Sequence, residues 1–370
     1  MFRKERCASR ITAELRVLPR CRPGAARPHS TTMHPTALRL PEPTGPHPVG
    51  ATPLHLVDSA RPDPWVPERP RELMVTLWYP APAAGERRTA YLTPVESEHL
   101  LTGIPDVPRD ILSTTRTHAF ADAPPLADRE RPLVLLSPGF TKPRATLTGL
   151  AEDLASHGYV VAAIEHTHES VATTFPDGRV ATCQARNFRR DEAFWDKLAT
   201  GRAADVSFVL DELTRTLAPS GIGMAGHSAG GASALTALAV ELRLQAAIGI
   251  DGTVHSVPPG LSRPFLFLGR ESQYTPGSGP AAATWEDAWH QLTGWKRWFT
   301  VAGAAHASFT DLALLAEQAG LGLGPATLPA ARVSELTRCY VRAFFDQHLR
   351  GEPQSCLDTP PHAEVVTASL

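Results

Sequence analysis

The sequence predicts an α/β fold in which helices cover both faces of a mostly parallel central sheet. Between residues 132 and 301, short apolar runs alternate with longer segments whose apolar residues recur at helical spacing. The short runs are apolar at every position, which is typical of strands that are buried on both sides of a sheet. Strands that alternate with helices form parallel sheets, and ligands bind where the carboxyl ends of such strands meet.

The amino-terminal part of the chain is predicted to be rich in loops. Many of the 35 proline residues precede residue 145, and proline favours loops and edge strands. Strands are expected at residues 52–57 and 73–79, as an antiparallel entry to the sheet, with a short helix near 95–103. Residues 81–130 carry no chemical motif, and we expect them to border the functional site.

The alternation of strands and helices becomes regular after residue 132. Apolar spacing predicts helices at residues 148–157, 202–217, 229–244 and 336–349. Continuous apolar runs predict strands at residues 133–136, 159–164, 221–225, 246–250 and 264–268. The Pro-containing tail after Gly351 is predicted to be coil.

The composition bounds the domain organisation and the partners. We expect one domain over residues 46–370, preceded at 1–45 by a disordered leader or by a start assigned too early. Residues 1–32 are basic but lack the apolar run of a signal peptide, and five irregularly spaced cysteines indicate reduced thiols rather than a disulfide framework. We therefore expect a cytoplasmic protein. The net charge of −2 predicts neither nucleic-acid binding nor stable insertion into a membrane.

The strongest motif is Gly226-His227-Ser228-Ala229-Gly230-Gly231, between a predicted strand and a predicted helix. This G-x-S-x-G pattern with these flanks is typical of the nucleophile elbow of α/β-hydrolases. The sharp turn strains the backbone of Ser228 and leaves no room for side chains at Gly226 and Gly230. We therefore predict the α/β-hydrolase fold, with Ser228 as the nucleophile that attacks the carbonyl carbon of an ester.

A serine hydroxyl needs a base that takes its proton and a carboxylate that orients the base. His306 is the best candidate for the base, since it follows the apolar stretch 298–301 and would lie at the end of a strand. The alternatives are His255, His290 and His348. Asp251 and Glu271 each follow a predicted strand, so position alone leaves both open as the acid.

The oxyanion that forms on the substrate needs N–H donors that are already in place. The backbone N–H of Ala229 is one candidate, because it follows the nucleophile at the start of a helix. The second is expected from the loop Pro138-Gly139-Phe140, with Phe140 as the donor.

Two further pairs of polar residues lie outside these motifs. Arg202 and Asp205 are predicted to form a structural pair on the surface of a helix. His166 and His168 follow the end of a strand, where they would line the pocket or, as an alternative, bind a metal as an H-x-H pair.

The motifs together resemble the plasma and intracellular type II platelet-activating-factor acetylhydrolases and their bacterial relatives. The likeness extends over residues 70–350. Beyond the elbow, it is carried by Pro138-Gly139-Phe140, residues 153–166, Ile250-Asp251-Gly252 and His306-Ala307-Ser308-Phe309-Thr310-Asp311.

The resemblance implies Asp251 as the acid, His306 as the base, and Phe140 and Ala229 as the oxyanion donors. The chain departs from the family at Pro138, where the family often has His, and at Ala229, where it often has Phe. Both departures concern the acyl pocket rather than the three predicted catalytic side chains.

We therefore predict a serine carboxylic ester hydrolase that works through an acyl-enzyme, with no cofactor and no metal. The resemblance implies short or oxidised acyl groups on phospholipid-like or other lipophilic alcohols. The alternatives are a broad-specificity carboxylesterase or cutinase-like polyester hydrolase and, in another class, a non-catalytic ligand-binding protein on a hydrolase fold. A pure binder has no need of a strained serine, which disfavours the last.

Overall fold

The computed structural model describes residues 37–127, 130–255 and 257–369, and all structural statements concern those residues. Most of the predicted leader at residues 1–45 lies outside them, so that expectation stays a prediction. In the described part of the chain, no helix has both the length and the apolar character that crossing a bilayer requires.

The strands are numbered β1 to β13 in chain order. They span Val49–Pro62, Pro70–Pro80, Arg88–Ala90, Arg116–Ala121, Leu133–Ser137, Val160–Glu165, Ala172–Thr174, Val180–Thr182, Ile222–His227, Ala246–Ile250, Phe265–Arg270, Lys296–Val301 and Val365–Thr367. The helices α1 to α8 span Pro94–Leu100, Thr148–Ser156, Glu192–Leu213, Ala229–Val240, Glu271–Tyr274, Pro280–Gln291, Asp311–Gln318 and Ala330–Leu349.

One sheet of eleven strands organises the described residues, in the order β13-β12-β11-β10-β9-β5-β6-β2-β1-β4-β3. The six strands from β12 to β6 in that order run parallel, whereas β13, β2 and β1 each pair antiparallel with a neighbour. The predicted α/β fold with a mostly parallel sheet is confirmed. The carboxyl ends of β5, β9, β10 and β12 therefore meet at one edge.

The sheet separates two apolar cores. Leu133 and Leu135 of β5 pack in a core with α3 and α4, whereas Val134 and Leu136 pack on the opposite face with α2 and α8. Successive side chains of a strand point to opposite faces, so a strand between two helical layers must be apolar at every position. This is why the continuous apolar runs located the central strands.

Several elements differ from the predicted bounds, and helix α3 and the tail after Gly351 differ most. Helix α3 begins ten residues earlier than expected, because the side chain of Asp191 accepts a hydrogen bond from the N–H of Phe194 at 3.1 Å and caps a first turn that packs away from the sheet. The tail after Gly351 is not entirely coil. Its strand β13 forms one edge of the sheet and pairs with β12, a long-range contact that local sequence does not encode.

Two carboxyl groups are buried beside one another behind the sheet. Glu152 of α2 accepts hydrogen bonds from the N–H groups of His118 at 2.9 Å and Ala119 at 2.7 Å, and Asp311 accepts one from Gly149 at 3.1 Å. Burial is the main reason why the pKa of Glu152 is raised to about 7 and the pKa of Asp311 to about 8, and the nearby carboxylate of Glu152 contributes to the rise at Asp311.

These raised pKa values predict a loss of stability with rising pH. The protonated carboxyls are favoured in the folded chain, so their contribution is complete below about pH 4 and is lost as pH rises towards about 8. We expect Asp311→Asn to reduce this dependence. Because Asp311 binds a single proton, the substitution can change the slope of the free energy of unfolding against pH by at most about 1.4 kcal/mol per pH unit.

Urea unfolding of the wild type and of Asp311→Asn at several pH values between 5 and 9 measures how the free energy of unfolding of each protein depends on pH. Asp287→Asn, at an exposed position of α6, is the control and should follow the wild type. Parallel pH curves for the wild type and Asp311→Asn would show that the Asp311 carboxyl does not titrate in this range.

Candidate active site

Ser228 lies in the turn between β9 and α4 in a strained backbone conformation. Its φ is +56° and its ψ is −120°, and its N–H donates to the carbonyl of Ile250 at 2.8 Å. A β-carbon on Gly226 would lie 2.1 Å from the carbonyl oxygen of Gly230, and one on Gly230 would lie 2.0 Å from that of Ser137. Backbone contacts on both sides therefore exclude any side chain at these two glycines.

The structure brings Ser228, His306 and Asp251 into one chain of hydrogen bonds. His306 follows β12 and presents Nε2 to Ser228 Oγ at 3.1 Å, while its Nδ1 is hydrogen-bonded to Asp251 Oδ2. Because a carboxylate accepts, the tautomer that fits carries its proton on Nδ1 and leaves Nε2 to accept the serine proton.

Asp251 lies at the end of β10 and is 1% exposed. Its Oδ1 accepts from the N–H of Arg270 at 2.8 Å, and its Oδ2 accepts from Arg270 Nη1 at 2.9 Å. Burial alone would raise the pKa of Asp251, but the hydrogen bond to His306 and the charge of Arg270 outweigh it and hold the pKa below its usual range. The carboxylate is therefore ionised at neutral pH. Sequence reasoning missed Arg270, although it directly precedes the alternative acid Glu271.

The two predicted oxyanion donors come from distant parts of the chain. Ala229 is the first residue of α4, and Phe140 lies in the loop after β5, in one apolar cluster with Ala229. The backbone N–H groups of Phe140 and Ala229 make no hydrogen bond to another described residue. Both are therefore able to donate to a bound oxyanion.

Ser228 and His306 open into a cleft with a largely apolar wall. The residues that line it with them are Gly139, Phe140, Lys142, His227, Ala305, Ala307, Thr310, Leu312, Leu323 and Gly324. The segment 81–130 was expected to border the site, but its described residues, 81–127 and 130, contribute nothing to this lining; Leu101 and Leu112 instead pack with Leu315 in a separate apolar core.

The chain matches the family platelet-activating factor acetylhydrolase, isoform II, over residues 33–195 and 196–319. This match covers most of the chain. The chain belongs to the platelet-activating factor acetylhydrolase isoform II family.

The relatives described next are named as esterases or as an acetylhydrolase. The chain is 27% identical to a probable 1-alkyl-2-acetylglycerophosphocholine esterase of Arthroderma benhamiae, over 88% of this chain and 92% of that protein. It is 26% identical to the platelet-activating factor acetylhydrolase of Cavia porcellus, over 50% of each. A solved ferulic acid esterase of Streptomyces cinnamoneus is 42% identical with a TM-score of 0.80, over 90% of this chain and all of that one. The predicted family and the predicted class of ester hydrolase are confirmed.

The alternative candidates for base and acid lie elsewhere in this acetylhydrolase family member. His255 stacks on Trp195, with ring centroids 5.7 Å apart. His348 lies in α8 and packs against Trp295. His290 and Glu271 are exposed, on α6 and at the start of α5.

His227, the variable residue before the serine, also contacts the site. Its Nε2 donates to the backbone carbonyl of His306 at 2.9 Å, and the two rings lie 4.6 Å apart. Burial, together with the nearby His306, lowers the pKa of His227 to about 3, so its ring is neutral. His227, Asp251 and His306 offer atoms close enough for a metal ion, but the ring of His306 is already hydrogen-bonded to Asp251, and His227 Nε2 is hydrogen-bonded to the backbone carbonyl of His306.

The prediction that Arg202 and Asp205 form a pair on a helix surface is wrong. Arg202 is 1% exposed and Asp205 is fully buried, and they bond to different partners. Arg202 pairs with Glu169 at 2.7 Å, whereas Asp205 pairs with Arg71 at 2.6 Å. The helical spacing of apolar residues did not reveal that α3 carries a buried charged side chain, Arg202, which contacts the loop after β5.

His166 and His168 do not converge on a common site. Both ring nitrogens of His166 are engaged, Nε2 with Ser137 Oγ at 2.9 Å and Nδ1 with Asp205 at 2.8 Å. The ring of His168 bonds instead to the carbonyl of Thr182 at 3.3 Å. The two rings therefore do not direct free nitrogens at one point, and His166 belongs to the buried hydrogen-bond network around Asp205.

Proposed function

We propose that Ser228 is the nucleophile of a serine ester hydrolase that removes short acyl groups from phospholipid-like or other lipophilic alcohols. The observation that carries the proposal is the 3.1 Å contact between Ser228 Oγ and His306 Nε2, with Asp251 on the far side of the imidazole. This arrangement activates a hydroxyl that is otherwise a poor nucleophile.

The acylation step follows from these contacts. His306 Nε2 takes the proton of Ser228 as Oγ bonds to the carbonyl carbon, and the carbonyl electron pair moves to oxygen. The N–H groups of Phe140 and Ala229 stabilise the resulting oxyanion. When the oxyanion collapses, the bond to the alcohol oxygen breaks, and His306 returns its proton to the leaving alcohol. An acyl-enzyme on Ser228 remains.

Deacylation repeats the sequence with water as the nucleophile. His306 takes a proton from water, whose oxygen bonds to the acyl carbon, and the carboxylic acid leaves as the proton returns to Ser228 Oγ. Asp251 stabilises the imidazolium in both halves, and Arg270 holds the Asp251 carboxylate in place.

The apolar wall of the cleft supports a lipophilic substrate. Leu312, Leu323 and Phe140 would remove hydrocarbon from water, and the family resemblance supports a short acyl group such as the acetyl in the name of the fungal relative.

A substrate panel tests the acyl preference. We expect kcat/KM for 1-alkyl-2-acetylglycerophosphocholine to exceed that for the 2-palmitoyl analogue at least tenfold, on the order of 1.4 kcal/mol or more in transition-state binding. Ser228→Ala is the blank that corrects for spontaneous hydrolysis. Equal rates on both lipids, or a preference for palmitoyl, would contradict short-acyl specificity.

Esters of aromatic acids are the second candidate substrate class. The ring of Phe140 packs edge-on against Trp195 at 5.8 Å, and Trp195 stacks on His255, so aromatic surface extends from the oxyanion loop. Planar aromatic acyl groups pack well on such surfaces, and the solved relative at 42% identity is named a ferulic acid esterase. Methyl ferulate in the same panel decides: a kcat/KM above that of the acetyl lipid would favour this class.

The proposed partner is a small-molecule or lipid ester, without nucleic acid and without stable insertion into a membrane. We propose a cytoplasmic location, which the free thiols of Cys183, Cys339 and Cys356 support because reduced cysteines suit a reducing compartment.

A further inference from the structure

The loop that carries the Phe140 N–H rests on a buried ion pair. Arg202 of α3 donates from Nη1 to the carbonyl of Pro138 at 2.5 Å and to Ser137 Oγ at 3.1 Å, and from Nε to Glu169 Oε2 at 2.7 Å. One guanidinium therefore reaches the loop backbone and the carboxylate together.

Glu169 holds the other side of the same loop. Its backbone carbonyl accepts the N–H of Thr141 at 2.9 Å, and its Oε1 accepts the indole N–H of Trp65 at 2.9 Å. Thr141 has a φ of +66°, a conformation that a threonine adopts only when neighbouring contacts impose it. Arg202 and Glu169 thus fix the residues two before and one after Phe140.

Stability alone is a poor explanation for this ion pair. Both side chains are 1% exposed, and removing two charges from water costs about as much as their attraction returns, so apolar residues would serve a core as well. What apolar residues cannot do is hold a carbonyl oxygen in a fixed direction. The carbonyl held here belongs to Pro138, two residues before the predicted donor N–H.

We propose that Arg202 is a positioning residue for the oxyanion hole: with Glu169 it fixes the peptide that aims the Phe140 N–H at the developing oxyanion. The proposal rests on the hydrolase function above and adds to it a residue outside the cleft. Donors act on a transition state only when they are aimed before the charge forms, so a small rotation of this peptide would lower the rate.

Arg202→Lys tests the proposal with charge retained. A single ammonium cannot reach the three acceptors that the planar guanidinium fork reaches, so the loop loses its fixed direction while the buried positive charge remains. With p-nitrophenyl acetate, we expect kcat to fall about 10- to 100-fold and KM to stay within about threefold. An alkyl trifluoromethyl ketone forms a hemiketal with the serine, and the oxygen of this hemiketal carries the negative charge of an oxyanion. The affinity for such a ketone should fall by the same factor as kcat.

Arg71→Lys is the matched control. Arg71 is fully buried in the same group of charges, bonded to Asp63, Asp205 and the carbonyl of Thr167 and 3.9 Å from Glu169 Oε1, but it makes no direct hydrogen bond or ion pair with residues 137–141. It should lower the urea midpoint while kcat and ketone affinity stay within about threefold of the wild type. The proposal fails if Arg202→Lys keeps the wild-type kcat and ketone affinity, or if Arg71→Lys loses as much of both.

Ser137→Ala serves if Arg202→Lys shows no cooperative unfolding. It removes the hydroxyl that bonds to both Arg202 and His166 at little cost in volume, and kcat and ketone affinity should fall together by about threefold or more. Unchanged values would overturn the proposal. An inactive wild type that also fails to bind the ketone would instead reject the hydrolase function itself, so the two failures are distinguishable.

Discussion

Ser228→Ala is expected to lower kcat for p-nitrophenyl acetate by about 10⁴-fold or more, because losing one member of a serine triad removes covalent catalysis as a whole. The residual rate should come from the oxyanion donors and substrate binding. KM should change little, since the hydroxyl acts mainly in the transition state. Steady-state kinetics with purified wild type and variant measure both constants.

Ser233→Ala provides the matched control for that loss. Ser233 lies on α4, is fully buried, and donates to the carbonyl of Ala229 at 2.7 Å without reaching His306. It should keep kcat within about threefold and show an unfolding midpoint similar to that of Ser228→Ala. A Ser228→Ala enzyme with near wild-type turnover would reject Ser228 as the nucleophile.

Asp251→Asn is expected to give the second-largest effect, a fall in kcat of about 10²- to 10⁴-fold. An amide can place its N–H₂ group against His306 Nδ1, which would move the ring proton to Nε2 and leave no base for Ser228. It also removes the negative charge that stabilises the imidazolium. The measurement is kcat across pH 6 to 9, where the loss should persist.

Glu271→Gln separates the two acids that sequence position left open. Glu271 is exposed at the start of α5, so its amide variant should retain kcat within about threefold of the wild type. If Glu271→Gln were the inactive variant and Asp251→Asn the active one, the acid would have to be reassigned and the hydrogen bond between His306 and Asp251 would have no catalytic part.

The parts of this enzyme that sequence predicted are those in which local chemistry is decisive. Continuous apolar runs marked β5, β9 and β10, because a strand between two helical layers has no solvent-facing position. The elbow at Ser228 was predictable because backbone contacts at Gly226 and Gly230 admit no side chain. His306 was selected by its place after an apolar run, and the carboxyl ends of parallel strands share one edge.

The parts that sequence did not predict depend on contacts between distant residues. The pairing of β13 with β12 joins Phe299 to Thr367, and a strand of three residues is too short to show a periodicity that would predict it. Arg202 was predicted to be a surface charge because helical spacing shows only which positions face a core. It does not show that a loop carbonyl, that of Pro138, lies there to accept a hydrogen bond. Arg270 was hidden for the same reason, since its partner Asp251 belongs to a different strand.

In the mechanism proposed for this enzyme, His306 activates Ser228 to form a covalent acyl-enzyme. The most direct test is to treat the wild-type protein with a fluorophosphonate probe, digest it, and locate the adduct by mass spectrometry, because an activated serine reacts far faster than an ordinary hydroxyl. We expect an adduct on Ser228 that forms much more slowly in His306→Ala. An adduct on another residue, or equal labelling rates in both proteins, would contradict it.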